Sequence, residues 1–324
     1  MMNTALDSSR KTLSAWVWEE LADIEFGSIY IPFGGNSRVA QWFKRKGYQT
    51  FVTEILQSNY WKAVALVQNN DAILTPNHFN TMTSGGVETS GDFELWQDHY
   101  FTKEEAQLLS QWWHNIENDA SFQNNAELKG MAYTAVYMTM NYWLSFNQRA
   151  LQPKPMNSQD ALLHYVQQLN DWVTNNDKPN MAYFTDAYDM ASQLPTHVTF
   201  ISPPGMTGFR DTNLKSELSE CWTRRVTQIN LSGLISTDAG PRLGQSFEDQ
   251  NTYLQALGNF IDLCEGSRTL VFHHSDSMGI ELAAVENLIE QKRQIWKRSA
   301  MTIPYPYAEE TLSDKETLII AVSE

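Results

Sequence analysis

Residues 28–54 read SIYIPFGGNSRVAQWFKRKGYQTFVTE, and this stretch decides the fold. Ser28 to Phe33 is short, apolar and rich in β-formers, and it runs directly into Gly34-Gly35-Asn36-Ser37 ahead of the helical run Arg38 to Lys46. Gly47 stops that helix, and Tyr48 to Glu54 alternates as a second strand ending in an acid. Ser58 to Val67 then reads as a second amphipathic helix. Two consecutive β-α units of this kind predict an open parallel sheet with a ligand at the carboxyl ends of its strands.

Working outward, Asp71 to Thr75 is expected to form a third strand, and the polar, turn-rich stretch Pro76 to Asp92 a linker. From Phe93 the pattern becomes helical, with periodic apolar positions in Ala106 to Ile116, Lys129 to Phe146 and Asp160 to Val173. The sheet pattern resumes with His197 to Ser202, followed by a helix over Phe247 to Cys264, a strand over Thr269 to His274 and a helix over Gly279 to Lys292. Ile295 to Ile303 and Thr317 to Val322 read as a C-terminal antiparallel hairpin closing the sheet edge. The expected organisation is an α/β domain made of residues 1–92 and 195–324, interrupted by a helical insertion over 93–194. Within that insertion Trp112, Trp113, Trp143 and Trp172 sit in amphipathic windows and read as core.

A chain of 324 residues with 42% apolar content buries a sizeable core without covalent staples, at roughly 150 residues per domain. Two cysteines, Cys221 and Cys264, are too few for a disulfide framework or a Cys-based zinc site. Met131 to Phe146 is apolar but too short to span a bilayer, where about 20 residues are needed, and the N-terminus reads as a helix starting near Ser9 instead of a signal peptide. A cytoplasmic protein without a membrane partner is expected. The net charge of −15, from 38 acidic and 23 basic residues, opposes a long polyanionic partner held by the global field. Lys44-Arg45-Lys46, Arg224-Arg225 and Lys292-Arg293 with Lys297-Arg298 are short basic clusters that either track phosphates or form solvated helix surface.

Two loops carry the chemistry. Where backbone must pass within contact distance of a nucleotide-like ligand, a β-carbon would fill the space, so Gly34 and Gly35 after the first strand suit such a ligand, and the helix after them offers free N–H groups. Glu54 ends the next strand where a carboxylate accepts from both ribose hydroxyls of an adenosine; the alternative is a surface acid. Ser202-Pro203-Pro204-Gly205 ends another strand. Its prolines hold the chain extended, so the Ser202 and Pro203 carbonyls project at fixed positions suited to an amino group. The bland reading is a strand terminator. His273 and His274 alternate across a strand, face opposite sides and therefore do not share a metal, and no metal site is expected.

Lys11-Thr-Leu, Ile31-Pro32-Phe33-Gly34-Gly35-Asn36-Ser37-Arg38-Val39-Ala40, Glu54 after Gly47-Tyr48, and Ser202-Pro203-Pro204 together resemble the S-adenosylmethionine-dependent DNA amino-methyltransferases. That family carries a PFxGxG turn and a [DNS]PP[YF] motif and methylates adenine N6 or cytosine N4. Phe209-Arg210-Asp211, Ser219-Glu220-Cys221-Trp222 and the run from Thr269 to Asp276 are also similar to adenine-specific members. The resemblance covers about two thirds of the chain and leaves the helical insertion outside, where some members place a target-recognition domain. It implies a Rossmann-like class I methyltransferase sheet, mostly parallel with a C-terminal antiparallel hairpin, S-adenosyl-L-methionine as cofactor and DNA as partner.

By that resemblance Lys11 approaches the cofactor carboxylate, Pro32, Phe33, Gly34, Gly35, Asn36 and Ser37 wrap its amino-acid portion, and Glu54 holds the ribose. Ser202, Pro203 and Pro204 form the catalytic loop, with Ser202 and the Pro203 carbonyl accepting the amino hydrogens of a flipped base. Gly205, Phe209 and Arg210 fall where the base and its phosphates are met. This sequence departs from the family pattern at three positions. Ile31 replaces an acid, the third turn glycine is Ser37, and Gly205 stands where an aromatic stacks on the base, a contact worth about 1–3 kcal/mol. Phe209 is the nearest aromatic that would substitute. The departures and the acidity also suit a degenerate methyltransferase-fold binding protein, or transfer to a small-molecule or protein amine.

Overall fold

The computed structural model describes residues 5–85, 91–147, 151–194, 196–211, 213–236, 238, 240–304 and 313–323. It divides into two compact units, one made of Met1–Ile55, Asn176–Asp211 and Leu231–Glu324, the other of Leu56–Asn175 and Thr212–Asn230.

The first unit is built on a seven-stranded sheet. Its strands are β1 (Ser28–Ile31), β2 (Gln49–Glu54), β3 (Met181–Phe184), β4 (Val198–Ile201), β5 (Thr269–Ser275), β6 (Gln294–Pro304) and β7 (Ser313–Val322), in the order β3-β2-β1-β4-β5-β7-β6. β1 to β5 run parallel, and β7 is antiparallel to both β5 and β6. Every residue of β1, β4 and β5 is buried, as a parallel sheet covered on both faces requires. This is the α/β, Rossmann-like sheet with its C-terminal hairpin. The order reverses between β1 and β4, the position at which open parallel sheets take ligands beyond the carboxyl ends of their strands.

Helix Arg38–Arg45 follows the glycine turn, burying Val39, Ala40 and Phe43, and ends at Gly47, whose φ of +91° no side-chain-bearing residue adopts easily. Helix Gln250–Leu263 buries Tyr253, Ala256, Leu257, Phe260 and Ile261 in the core cluster that also holds Tyr30, Ile201, Phe272 and Ile319. The N-terminal helix runs Ala5–Glu20 and so begins one turn before Ser9.

Three expectations are corrected. Asp71 to Thr75 is not a strand. Its backbone is taken by side chains: the Asn69 carboxamide accepts from the Asp71 and Ala72 amides at 3.1 and 2.7 Å, and Asn170 brackets Leu74 through both its amide and its carbonyl. The third parallel strand is instead β3, paired with β2 from Phe51↔Met181 to Glu54↔Phe184. The expected linker contains helix Pro76–Thr83, started by Pro76 and by a reciprocal cap between Thr75 and His78; residues 86–90 of that stretch lie outside the described residues. The boundaries at 92 and 195 accordingly move, because residues 56–85, 91 and 92 group with the helices and 176–194 with the sheet.

The second unit is helical, with Gln57–Ala63 passing into a π-turn over Val64–Gln68, then Lys103–Asn118, Ala126–Phe146, Ser158–Trp172 and Leu214–Arg224. Trp112 stacks on Trp143 with centroids 5.6 Å apart, and Trp222 packs edge-on to Tyr133 and Tyr137. Trp112 and Trp143 are core, as their helical spacing predicts, while Trp113 and Trp172 are half-buried. Glu220, fully buried, accepts from the Gln57 and Ser58 amides at the start of helix Gln57–Ala63 and pairs with Arg224. Among the described residues no helix is long and apolar enough to cross a membrane.

Both cysteines are free and buried. Burial pushes the Cys221 thiol up to about 12, with Glu217 and Glu220 adding to it, and pushes Cys264 up to about 12 against the pull of Arg293. Above the ordinary thiol range, near 8.5, the unfolded chain loses these protons while the folded chain keeps them, so stability falls as pH rises past about 9. Native protein at pH 8 is expected to leave both thiols unlabelled by a disulfide reagent over hours, and urea-unfolded protein to label both within minutes. Fast labelling of the native protein would contradict the burial.

Candidate active site

The two candidate loops leave neighbouring parallel strands. Ile29↔Val198 and Tyr30↔Thr199 set the register, so Pro32 to Ser37 after β1 and Ser202 to Gly205 after β4 emerge side by side at one sheet edge. Helix Gln250–Leu263 braces both. The Phe260 ring lies 5.3 Å from that of Phe33, and the Tyr253 hydroxyl donates to the Pro204 carbonyl at 3.0 Å.

The first loop is drawn onto β2. Thr53 donates its hydroxyl to the Pro32 carbonyl at 2.9 Å, and the Gly35 amide donates to the Glu54 carboxylate. Gly34 is dictated by close approach, since a β-carbon there would lie 2.5 Å from Val52 Cγ1 and 3.1 Å from Glu54 Oε1. At Gly35 no atom stands within 4 Å of a β-carbon position, so that side of the turn is open. Asn36 is exposed and its side-chain oxygen accepts from the Arg38 amide at 3.2 Å. Ser37 adopts φ 60° and is wholly buried, and its hydroxyl has no hydrogen-bond partner among the described residues. Glu54 is 7% exposed, so it is not a surface acid. Lys11 falls on helix Ala5–Glu20, and its side chain lies outside the described residues.

These residues fit an adenosine-bearing cofactor. A buried carboxylate at the end of β2, open space beside Gly35 and an orphaned hydroxyl at Ser37 are the acceptor, the close-approach surface and the unsatisfied polar group that such a ligand meets. Phe33 is partly buried and packs against the core cluster, supporting the turn from beneath.

The second loop is held just as tightly. Met206 donates to the Met278 carbonyl at 2.9 Å, and Phe247 donates to the Met206 carbonyl at 2.8 Å. A β-carbon on Gly205 would lie 2.6 Å from the Met278 carbonyl oxygen and 2.7 Å from its Cα. Gly205 is therefore a packing glycine, and the aromatic expected at this place in the motif has no room. Phe209 is half-buried, with its amide bonded to the Gly244 carbonyl at 2.9 Å and its ring against Gly244, so it is engaged with the protein's own backbone. Arg210 is exposed on the turn Gly208–Asp211.

Sequence reasoning missed what stands behind Ser202. Its hydroxyl meets His273 Nδ1 at 2.9 Å, and His273 Nε2 is hydrogen-bonded to Glu316. The signal lay in a histidine and an acid at the ends of two further strands, visible only once β7 is known to run antiparallel to β5. His274 faces the other way, as alternation requires, and bonds the Ile280 carbonyl at 2.8 Å.

Most residues of the basic clusters are engaged within the protein, while Arg45 is exposed. Lys44 is buried, and Lys46 lies over the Trp18 and Trp42 rings. Arg224 pairs with Glu220, Arg225 with Asp92, Lys292 with Asp262, and Lys297 with Glu20. Arg298 meets Glu286 and Glu290, and Arg293 donates to the Cys264 and Ser267 carbonyls. Solvated or structural surface is the reading these contacts favour.

No family model matches the chain. The chain is 21% identical over 243 residues to the Type II methyltransferase M2.HphI of Haemophilus parahaemolyticus, covering 65% of this chain and 71% of that protein. Together with the sheet order, this likeness supports a methyltransferase at that general level.

Proposed function

We propose that the protein is an S-adenosylmethionine-dependent methyltransferase that modifies an exocyclic amine in DNA, adenine N6 or cytosine N4. The observation that carries this reading is the emergence of the glycine turn, with Glu54 beside it, and of the Ser202-Pro203-Pro204 loop from adjacent parallel strands at one sheet edge. When bound, the cofactor supplies a sulfonium methyl group: the amine nitrogen forms a bond to the methyl carbon, and the carbon–sulfur pair of electrons stays on sulfur. The chain's own task is positioning. Glu54 would accept from the ribose hydroxyls, and Gly34 to Ser37 would admit the amino-acid portion. Ser202 and the Pro203 carbonyl accept the amino hydrogens and so aim the nitrogen lone pair.

The test is transfer of labelled methyl to unmethylated genomic DNA, with Ser202→Ala as control. Label is expected in DNA, with a loss of about 10²-fold or more in the variant, and binding to DNA is expected to weaken steeply with salt. A second reading, transfer to a smaller amine, is favoured by the engaged basic clusters and the missing stacking position at Gly205. It predicts label in the acid-soluble or protein fraction instead. Label in no fraction would leave the chain a binding protein on a methyltransferase fold.

A further inference from the structure

Three neighbouring strands deliver Ser202, His273 and Glu316 to one line of hydrogen bonds. Ile201 pairs with Phe272, so Ser202 stands level with His273. His273 pairs with Leu318, so Glu316, two residues nearer the start of β7, shares its face. His273 is 7% exposed, with the Phe200 ring stacked beside it at 6.3 Å and 20°. The charged group presented to the imidazole is Glu316 from β7; β4 presents Ser202 and Phe200. On β5 itself His274 faces away and Ser275 bonds Ser277, while Asp276 and Lys315 are exposed neighbours.

The chemistry of the three groups sets the protons of the neutral ring. A carboxylate only accepts, so in the neutral imidazole Nε2 carries the hydrogen toward Glu316, Nδ1 keeps a lone pair, and the Ser202 hydroxyl donates to it. With its hydrogen committed to the ring, Ser202 offers only lone pairs to a substrate.

From this geometry we infer that His273 and Glu316 are positioning residues that turn Ser202 into an obligate acceptor and take up the proton released when the amine is methylated. The inference rests on the methyl-transfer reading. As the nitrogen gains its methyl it sheds one proton to Ser202 Oγ, the serine's own proton moves to Nδ1, and an imidazolium remains beside the Glu316 carboxylate until solvent removes the proton. Serine is neutral before and after. In the nucleophile elbow of an α/β-hydrolase the residue after the serine supplies an oxyanion N–H, and here that residue is Pro203, which has none.

The test has two readouts. Nitrogen-15 spectra of histidine-labelled full-length protein should show His273 as the Nε2–H tautomer. In methyl-transfer assays Glu316→Gln should lose about 10- to 100-fold in kcat with KM for S-adenosylmethionine unchanged. His273→Gln should flatten the pH profile, and Ser202→Ala combined with His273→Gln should be no slower than Ser202→Ala alone.

An active wild type whose His273→Gln variant keeps both its kcat and its pH profile overturns the inference and leaves the methyl-transfer reading standing. An Nδ1–H tautomer overturns it from the apo protein alone, even where a variant fails to fold. Covalent capture of Ser202 by a fluorophosphonate overturns it in favour of a nucleophile. No transfer to any amine by the wild type removes the reading and the inference together.

Discussion

Replacing Glu54 with alanine is expected to weaken S-adenosylmethionine binding about 100-fold, read by calorimetry. A carboxylate that accepts from two ribose hydroxyls contributes about 3 kcal/mol at the lower end for charged hydrogen bonds, and each 1.4 kcal/mol is tenfold. The same substitution strips the Gly35 amide of its acceptor, so stability should also drop, by about 1–3 kcal/mol. Glu54→Gln separates the two effects. It keeps an oxygen for Gly35 and so restores most of the stability, yet it lacks the charge and leaves cofactor binding weak. An alanine variant that binds as tightly as the wild type would remove Glu54 from the site.

Gly205→Tyr, which restores the aromatic of the family motif, is expected to destabilise the protein by about 3 kcal/mol and to give no gain in DNA binding. The conflict is at the β-carbon, 2.6 Å from a backbone carbonyl oxygen that cannot swing aside as a side-chain end does. Gly205→Ala should therefore lose most of the same stability, as a lower urea midpoint at unchanged slope. A tyrosine variant as stable as the wild type and tighter on DNA would show that the loop rearranges to offer a stacking platform.

How much was legible follows from where the signals lie along the chain. The β1-turn-helix-β2 unit could be read because Gly34, Gly35 and Gly47 punctuate it and the apolar period changes between them. β3 could not, because Met181 to Phe184 is a short edge strand with only Ala182 buried, and such a strand carries almost no alternation. Asp71 to Thr75 misled for the opposite reason: it looks like a strand, but Asn69 and Asn170 claim its backbone, and Asn170 is 96 residues away from Leu74. The Ser202 loop announced itself by its prolines at a strand end. The packing role of Gly205 depends on Met278, and the link from His273 to Glu316 spans 43 residues and exists only through antiparallel register.

Helix Gln250–Leu263 carries Tyr253 and Phe260 on one face, two turns or roughly 10 Å apart along its axis. It thereby acts as an internal ruler between the turn after β1 and the loop after β4, whose separation is set before any ligand arrives. Both segments then share one melting unit: exchange of their amide hydrogens should report a single opening event, and loosening the helix should displace both loops at once.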